Sequence, residues 1–157
     1  MGEIGSGRLK RVVVATVEPD KDLLASLEEV ARREGIRAGL ILSVAGSLKR
    51  ANIRNVKEFP KELPVRDVNR MWKVIEDRPL EILSVVGNIH QRGGETQIHA
   101  HITVSTVVGG EVFVFGGHLV EGNITFVNVE AALAELEGVE MVRKIHPERK
   151  TWELTLS

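Results

Sequence analysis

Short runs of apolar or alternating residues occupy most of this 157-residue chain, and such runs are typical of β-strands. The first run, 11–17, is rich in β-branched residues and ends at the Glu-Pro-Asp sequence of 18–20. The other predicted strands are 38–48, 51–59, 80–89, 97–106, 111–117, 122–129, 141–145 and 151–156. Glycine pairs separate several of the later runs, so we expect an antiparallel meander in that part of the chain.

One early segment has helical spacing instead. Either Asp20 or Asp22 can cap the free N–H groups of a first turn, and Gly35 suits the left-handed position after a last turn. The apolar residues between them fall on one helix face, namely Leu23, Leu24, Leu27, Val30 and Ala31. A second, short helix is predicted over 130–137.

Residues 60–79 have no clear pattern, because three prolines interrupt a helical spacing of apolar residues. We predict an irregular segment there, with one or two helical turns. A chain of this length forms one domain, so residues 1–157 are predicted to be a single unit whose residues 1–10 are flexible.

The composition excludes several kinds of site. The chain has no cysteine, which rules out disulfides, iron–sulfur clusters, thiolate zinc sites and a cysteine nucleophile. It has no apolar run of about 20 residues that could span a bilayer. Its start has no signal-peptide pattern. We therefore expect a cytoplasmic protein with no membrane partner. The absence of tyrosine, with abundant Val, Glu and Arg, favours a heat-adapted source.

Charge is distributed unevenly although the formal net charge is only -1. Residues 48–73 hold eight basic and three acidic side chains, whereas residues 74–142 hold ten acidic and two basic ones. The basic segment could contact nucleic-acid phosphates, and the candidate residues are Lys49, Arg50, Arg54 and Lys57. It could equally be a solvated surface or pair with the acidic region of another subunit.

The histidines are the residues most suggestive of chemistry. On a strand over 97–106, alternation places His99 and His101 on one face and the apolar residues Ile98 and Ala100 on the other. Two such imidazoles lie about 6 to 7 Å apart along a strand, a spacing that suits two ligands of one metal ion. His118 follows Gly116-Gly117 at the end of the next predicted strand and would be the third ligand.

Three imidazoles without a thiolate indicate an open site for a divalent metal, most simply zinc, with water or a neighbouring subunit completing the shell. Binding should weaken as the pH falls through the imidazole range. The alternative is that the histidines only form hydrogen bonds on a polar strand face. We expect His90 to lie at the surface or an interface, and we assign no role to His146.

The arrangement of these segments resembles the PPC domain, a domain of unknown function shared by plants and prokaryotes, over nearly the whole chain. The resemblance rests on Asp22-Leu23-Leu24, the segments 41–48 and 80–89, and above all His99-Ala100-His101 with Gly116-Gly117-His118-Leu119. It implies an α+β fold, with a mixed, mostly antiparallel sheet flanked by helices, and assembly into a homotrimer. Plant members also carry an AT-hook of Arg-Gly-Arg-Pro type, which this sequence does not contain.

Three functions follow from these observations. The first is a trimeric binding or structural module that holds a divalent metal. The second is association with DNA or with a DNA-binding partner, expected to be weak because the AT-hook is missing. The third is a metal-dependent enzyme, in which Glu95 or Glu121 would act as general base beside a metal-bound water.

Overall fold

The computed structural model describes residues 2–157, and strands dominate it. The strands are β1 Arg8–Val17, β2 Gly39–Val56, β3 Arg70–Ile75, β4 Leu80–Arg92, β5 Glu95–Val108, β6 Glu111–Leu119, β7 Ile124–Thr125, β8 Val129–Glu137, β9 Met141–Ile145 and β10 Trp152–Leu156. Within this range there is one α-helix, α1 Leu23–Arg33, and one 3₁₀ turn, Asp67–Asn69.

All ten strands belong to one sheet in the order β1-β8-β2-β6-β5-β4-β9-β10, with β3 and β7 paired to β2. Strand β4 also pairs with β2, so β2, β6, β5 and β4 close on one another. Every pairing is antiparallel except the single contact between β4 and β9. The predicted mixed, mostly antiparallel sheet is confirmed, whereas "flanked by helices" overstates the helical content of residues 2–157.

Helix α1 covers one face of the sheet. Its Leu23, Leu27 and Ala31 are fully buried, as the apolar spacing predicts. The cap is Asp22, whose side chain accepts a hydrogen bond from the backbone N–H of Ala25 at 3.0 Å. Gly35 follows the helix with a φ of 67°, the left-handed conformation expected of it.

The predicted helix over 130–137 is wrong, because this segment forms strand β8. Its alanines, leucines and glutamates favour a helix in isolation. In the fold, β8 lies between β1 and β2 and pairs with both. Glu135 is there fixed by Lys10 and Arg11 of β1, so ladder hydrogen bonds and ion pairs override local propensity.

Other strand boundaries also differ from the pattern. The predicted strands 38–48 and 51–59 form one long strand, β2, because register shifts after Ile41 and Leu48 let it bend without ending. Residues 60–79 contain β3, which pairs with β2, and only the 3₁₀ turn is helical. Strand β1 begins earlier than predicted, at Arg8, and the predicted strand 122–129 shortens to β7.

The sheet face opposite its buried side leaves large apolar residues exposed. Val86 is the register partner of His101 and is 60% exposed. Other exposed apolar side chains lie on β1, β2, β3 and β6, for example Val14, Leu40, Trp72 and Val114. Scattered apolar residues are ordinary at a surface, but a run across several strands is typical of an interaction face. No helix within residues 2–157 is long and apolar enough to cross a membrane.

Candidate metal centre

The three histidines of the predicted site converge on adjacent strands. His101 of β5 and His118 of β6 are direct register partners, and His99 precedes His101 on the same strand face. The ring centroids lie 5.0 to 5.5 Å apart. One potential ligand nitrogen from each ring lies within 4.8 Å of the other two. The grouping that the sequence predicts is therefore present, and metal ligation itself stays a prediction.

Packing beneath β5 fixes the direction of these rings. Ile98, Ala100, Ile102 and Val104 are all buried on the core side of the strand. Because side chains alternate along a strand, His99 and His101 must point to the opposite face. The helix also reaches this strand, since Glu28 Oε1 accepts a hydrogen bond from the backbone N–H of Ile98 at 3.1 Å.

Two glycines let β6 approach closely enough to bring His118 to the group. A Cβ atom on Gly116 would lie 2.4 Å from the carbonyl oxygen of Ile102 on β5. A Cβ atom on Gly117 would lie 2.5 Å from Oδ1 of Asn55, whose Nδ2 donates to the Gly116 carbonyl oxygen at 3.0 Å. Gly116 has no room for a side chain, and a side chain at Gly117 would displace the Asn55 amide, so the sequence Gly116-Gly117-His118 has a steric reason.

The surroundings keep two of the rings, those of His99 and His118, neutral. Burial, reinforced by the nearby guanidinium groups of Arg143 and Arg54, lowers the pKa of His99 to about 4 and that of His118 to about 3. Neutral imidazole is the form that donates a lone pair to a metal. Protons would compete for these two rings only as the pH falls towards those values, well below the ordinary imidazole range.

A residue that the sequence analysis did not single out contacts the group. Arg143 of β9 donates from Nη2 to Nδ1 of His99 at 2.5 Å, and from Nη1 to the carbonyl oxygen of Trp152 at 3.0 Å. A neutral imidazole has one lone pair, so the His99 nitrogen that accepts from Arg143 cannot ligate a metal at the same time. Metal binding at His99 therefore requires this hydrogen bond to break.

The histidines open into a cavity of about 640 Å³ between the β2–β3 connection and the β9–β10 hairpin. Its charged lining is entirely basic and consists of Arg54, Arg70, Arg92, Arg143 and Lys150, besides His90, His99, His101 and His118. No carboxylate is among the described residues that line it. Burial and the charge of Arg70 lower the pKa of Arg54, which is the response expected where cations are crowded.

His90 was expected at the surface or at an interface. This prediction is wrong, because the residue is buried within the chain's own fold. The residue is only 2% exposed, and its Nδ1 lies 2.9 Å from Oδ1 of Asn88. Burial and the charge of Arg143 lower its pKa to about 4. The long strand β4 carries His90 to the lining of the cavity, whereas the predicted strand ended at residue 89. His146, to which no role was assigned, accepts backbone hydrogen bonds in the turn after β9.

The two candidate general bases lie away from the histidines. Glu95 begins β5 at the hairpin opposite Arg92, and its side chain is exposed. Glu121 is an exposed residue after β6, and its carbonyl oxygen accepts from Asn52 Nδ2. Neither residue lines the cavity. The structure therefore brings neither Glu95 nor Glu121 to the three-histidine group, as base catalysis by either residue would need.

The four candidate nucleic-acid residues have different surroundings. Lys49 forms an ion pair with Asp20, and Arg50 forms one with Glu76 at 3.1 Å. Arg54 lines the cavity, with its guanidinium carbon 5.5 Å from the ring centroid of Trp72. Lys57 is exposed on the connection after β2. They do not form a continuous row of unpaired cations.

The fold and the site together define a strand-dominated domain with one helix and a three-histidine cluster that opens into a basic cavity. A family model for the Plants and Prokaryotes Conserved (PCC) domain matches residues 4–137. The chain belongs to this family, which confirms the resemblance seen in its sequence. It is also 30% identical over 129 residues to the bifunctional protein GlmU of Synechococcus sp. strain JA-2-3B'a(2-13). That match covers 82% of this chain but 17% of the GlmU chain.

Solved structures share the fold over nearly their whole length. A plant- and prokaryote-conserved protein of Pyrococcus horikoshii is 28% identical, with a TM-score of 0.74 and 97% of each chain covered. A metal-containing protein of Archaeoglobus fulgidus is 22% identical, with a TM-score of 0.77 over 98% of this chain and 99% of that one. A candidate DNA-binding protein of Bacteroides thetaiotaomicron is 18% identical, with a TM-score of 0.74 and 98% of each chain covered.

Proposed function

We propose that the protein is a metal-binding module in which His99, His101 and His118 hold one divalent ion. The observation that carries the proposal is the convergence of three ligand nitrogens within 4.8 Å of one another. The low pKa values of His99 and His118 are compatible with it, because both rings are neutral at physiological pH and a metal ligand must be neutral imidazole. The A. fulgidus protein of the same fold, which contains a metal, is consistent with it.

The donor set favours zinc. Imidazole is a borderline ligand that suits Zn, Cu, Ni and Fe, and three of them with an open position are a common zinc arrangement. Bonds of about 2.05 Å in a tetrahedral shell place ligand atoms about 3.4 Å apart. Reaching that value from separations of up to 4.8 Å requires movement of the side chains, including loss of the hydrogen bond between Arg143 and His99. The fourth position would face the cavity, where water or a group from a neighbouring subunit can enter.

The direct test is metal analysis of protein purified without a His-tag and without added metal. We expect about one zinc per chain by plasma mass spectrometry, removable by a chelator and restored by zinc at neutral pH. A second sample, titrated with zinc after chelation, covers the case in which metal is lost during purification. If the protein is metal-free as purified and also fails to take up zinc, the proposal is wrong.

The module is proposed to be a homotrimer. The apolar residues left exposed across the sheet, such as Val86 beside His101, support burial against another copy of the chain. The separate basic and acidic segments can pair between subunits, and the family resemblance supplies the number three. Light scattering should give three times the chain mass of 17.3 kDa at micromolar concentration. A monomeric mass under those conditions would exclude the trimer.

DNA binding is the alternative function. The description of the B. thetaiotaomicron protein as a candidate DNA-binding protein favours this alternative. The similarity between that protein and this chain, however, shows only that the two share a fold. The ion pairs of Lys49 and Arg50 argue against DNA binding, because acids already neutralise these two cations.

Catalysis has less support, since no carboxylate among the described residues lines the cavity. The metal-binding module is therefore the function that we put forward.

A further inference from the structure

Most arginines of this protein have an acidic partner. Eight of the thirteen form an ion pair within 4.0 Å, and they are Arg8, Arg11, Arg32, Arg33, Arg50, Arg70, Arg78 and Arg149. Within residues 2–157, the five others show no such pair. Three of these five, Arg54, Arg92 and Arg143, line the cavity beside the histidines. Unpaired guanidinium groups are therefore concentrated where the cavity is.

Aromatic and backbone contacts hold these three side chains in place without neutralising them. The guanidinium carbon of Arg92 lies 3.9 Å from the ring centroid of Trp152, and that of Arg54 lies 5.5 Å from Trp72. Arg143 donates to the Trp152 carbonyl oxygen. Cation–π contacts orient a guanidinium but leave its N–H donors and its charge available. The cavity thus presents cations that are already ordered for a ligand.

The arrangement has an energetic cost within the chain itself. All three arginines are partly buried, and Nε of Arg143 is a buried donor with no hydrogen-bond partner. Withdrawing charge and donors from water without a counter-charge is unfavourable. Lys150 brings a further positive charge to the cavity, and Arg70, which is paired with Asp67, also lines it. An anion bound among them would supply the missing acceptors, with the fork of each guanidinium suited to carboxylate or phosphate oxygens.

From this geometry we infer that the cavity binds a small organic or inorganic anion with at least two acidic groups, of phosphate or carboxylate type. Its volume of about 640 Å³ lies within the range of small-molecule sites, about 300 to 1,000 Å³. The cations line a concave space between two connections, which fits a compact ligand better than a DNA duplex. Binding of the anion by the arginines does not depend on the proposed metal site. Only a direct contact between the anion and a metal ion would rest on that proposal.

The experiment uses chelator-treated, metal-free protein, so that its outcome is independent of metal binding. Pyrophosphate and citrate are titrated separately by calorimetry, with glucose as an uncharged control. We expect at least one of the two anions to bind and glucose not to bind. The pyrophosphate and citrate arms distinguish a phosphate ligand from a carboxylate one.

The variants Arg54→Gln and Arg92→Gln should each weaken binding of that anion about tenfold, which corresponds to one charge-assisted hydrogen bond. The matched control is Arg37→Gln, which changes an exposed arginine that also shows no acid pair but lies outside the cavity. It should leave the affinity unchanged.

The inference is overturned if neither anion binds, or if Arg37→Gln weakens binding as much as the cavity variants do. Binding of duplex DNA, with neither small anion bound but with the same dependence on Arg54 and Arg92, would also overturn it in favour of a nucleic-acid site. Failure of the metal proposal would leave these titrations unaffected, because they contain no metal.

Discussion

Replacing His101 by alanine should remove the bound zinc from the protein while leaving its fold intact. The residue is exposed and packs no core, so the metal-free variant should unfold within about 0.5 kcal/mol of the metal-free wild type. Loss of one of three protein ligands should weaken zinc affinity by at least about 100-fold, since even residues that only support a ligand contribute 10- to 100-fold. Competition with a chromophoric chelator measures this affinity, and thermal unfolding measures the stability.

The matched control is His146→Ala. This histidine lies in the turn after β9, where it accepts backbone hydrogen bonds, and it is not a member of the three-histidine group. Its replacement should leave zinc affinity unchanged. If His101→Ala retains wild-type affinity, or if both variants lose zinc equally, then the ion is not held by the three-histidine group.

The sequence was sufficient to predict that these three histidines meet. Alternation alone places His99 and His101 on one strand face, because the residues between and around them are apolar. The glycine pair before His118 indicates a close approach between strands. Direct pairing of His101 with His118 then follows from the short connection between β5 and β6. Local pattern is informative here because the hairpin is local in the chain.

The basic cavity could not be predicted in the same way. Arg143 lies 44 residues from His99 in the chain, and only the position of β9 beside β4 brings the two together. Arg54 likewise reaches the site because the single long strand β2 continues through a segment that the pattern divides in two. Charge counts over 48–73 identify a basic segment but not which cations are paired, since the acids that neutralise them lie elsewhere in the chain.

Strand β8 shows the other reason for a wrong prediction. Its sequence Glu-Ala-Ala-Leu-Ala-Glu-Leu-Glu has high helix propensity, and propensity is the only information that a short segment carries alone. Pairing with two neighbours satisfies its backbone groups. A Cβ atom on Gly39 of β2 would lie 2.3 Å from the carbonyl oxygen of Ala134. The strand is therefore determined by contacts distant in sequence.

The substitution Gly116→Ala should destabilise the protein and reduce zinc binding together. The added Cβ atom would lie 2.4 Å from the Ile102 carbonyl oxygen, so β5 and β6 must move apart next to the pair His101 and His118. Overpacking of this kind costs about 1 to 3 kcal/mol of unfolding free energy, and the displaced His118 should weaken zinc binding by at least about tenfold, as loss of a supporting residue does. Denaturant unfolding and zinc competition measure the two effects.

The matched control is Val114→Ala, which changes an exposed residue of the same strand. It should alter stability by only about 0.5 kcal/mol and should leave zinc affinity unchanged. If Gly116→Ala matches that control in both measurements, the close approach of β5 and β6 is not what positions His118.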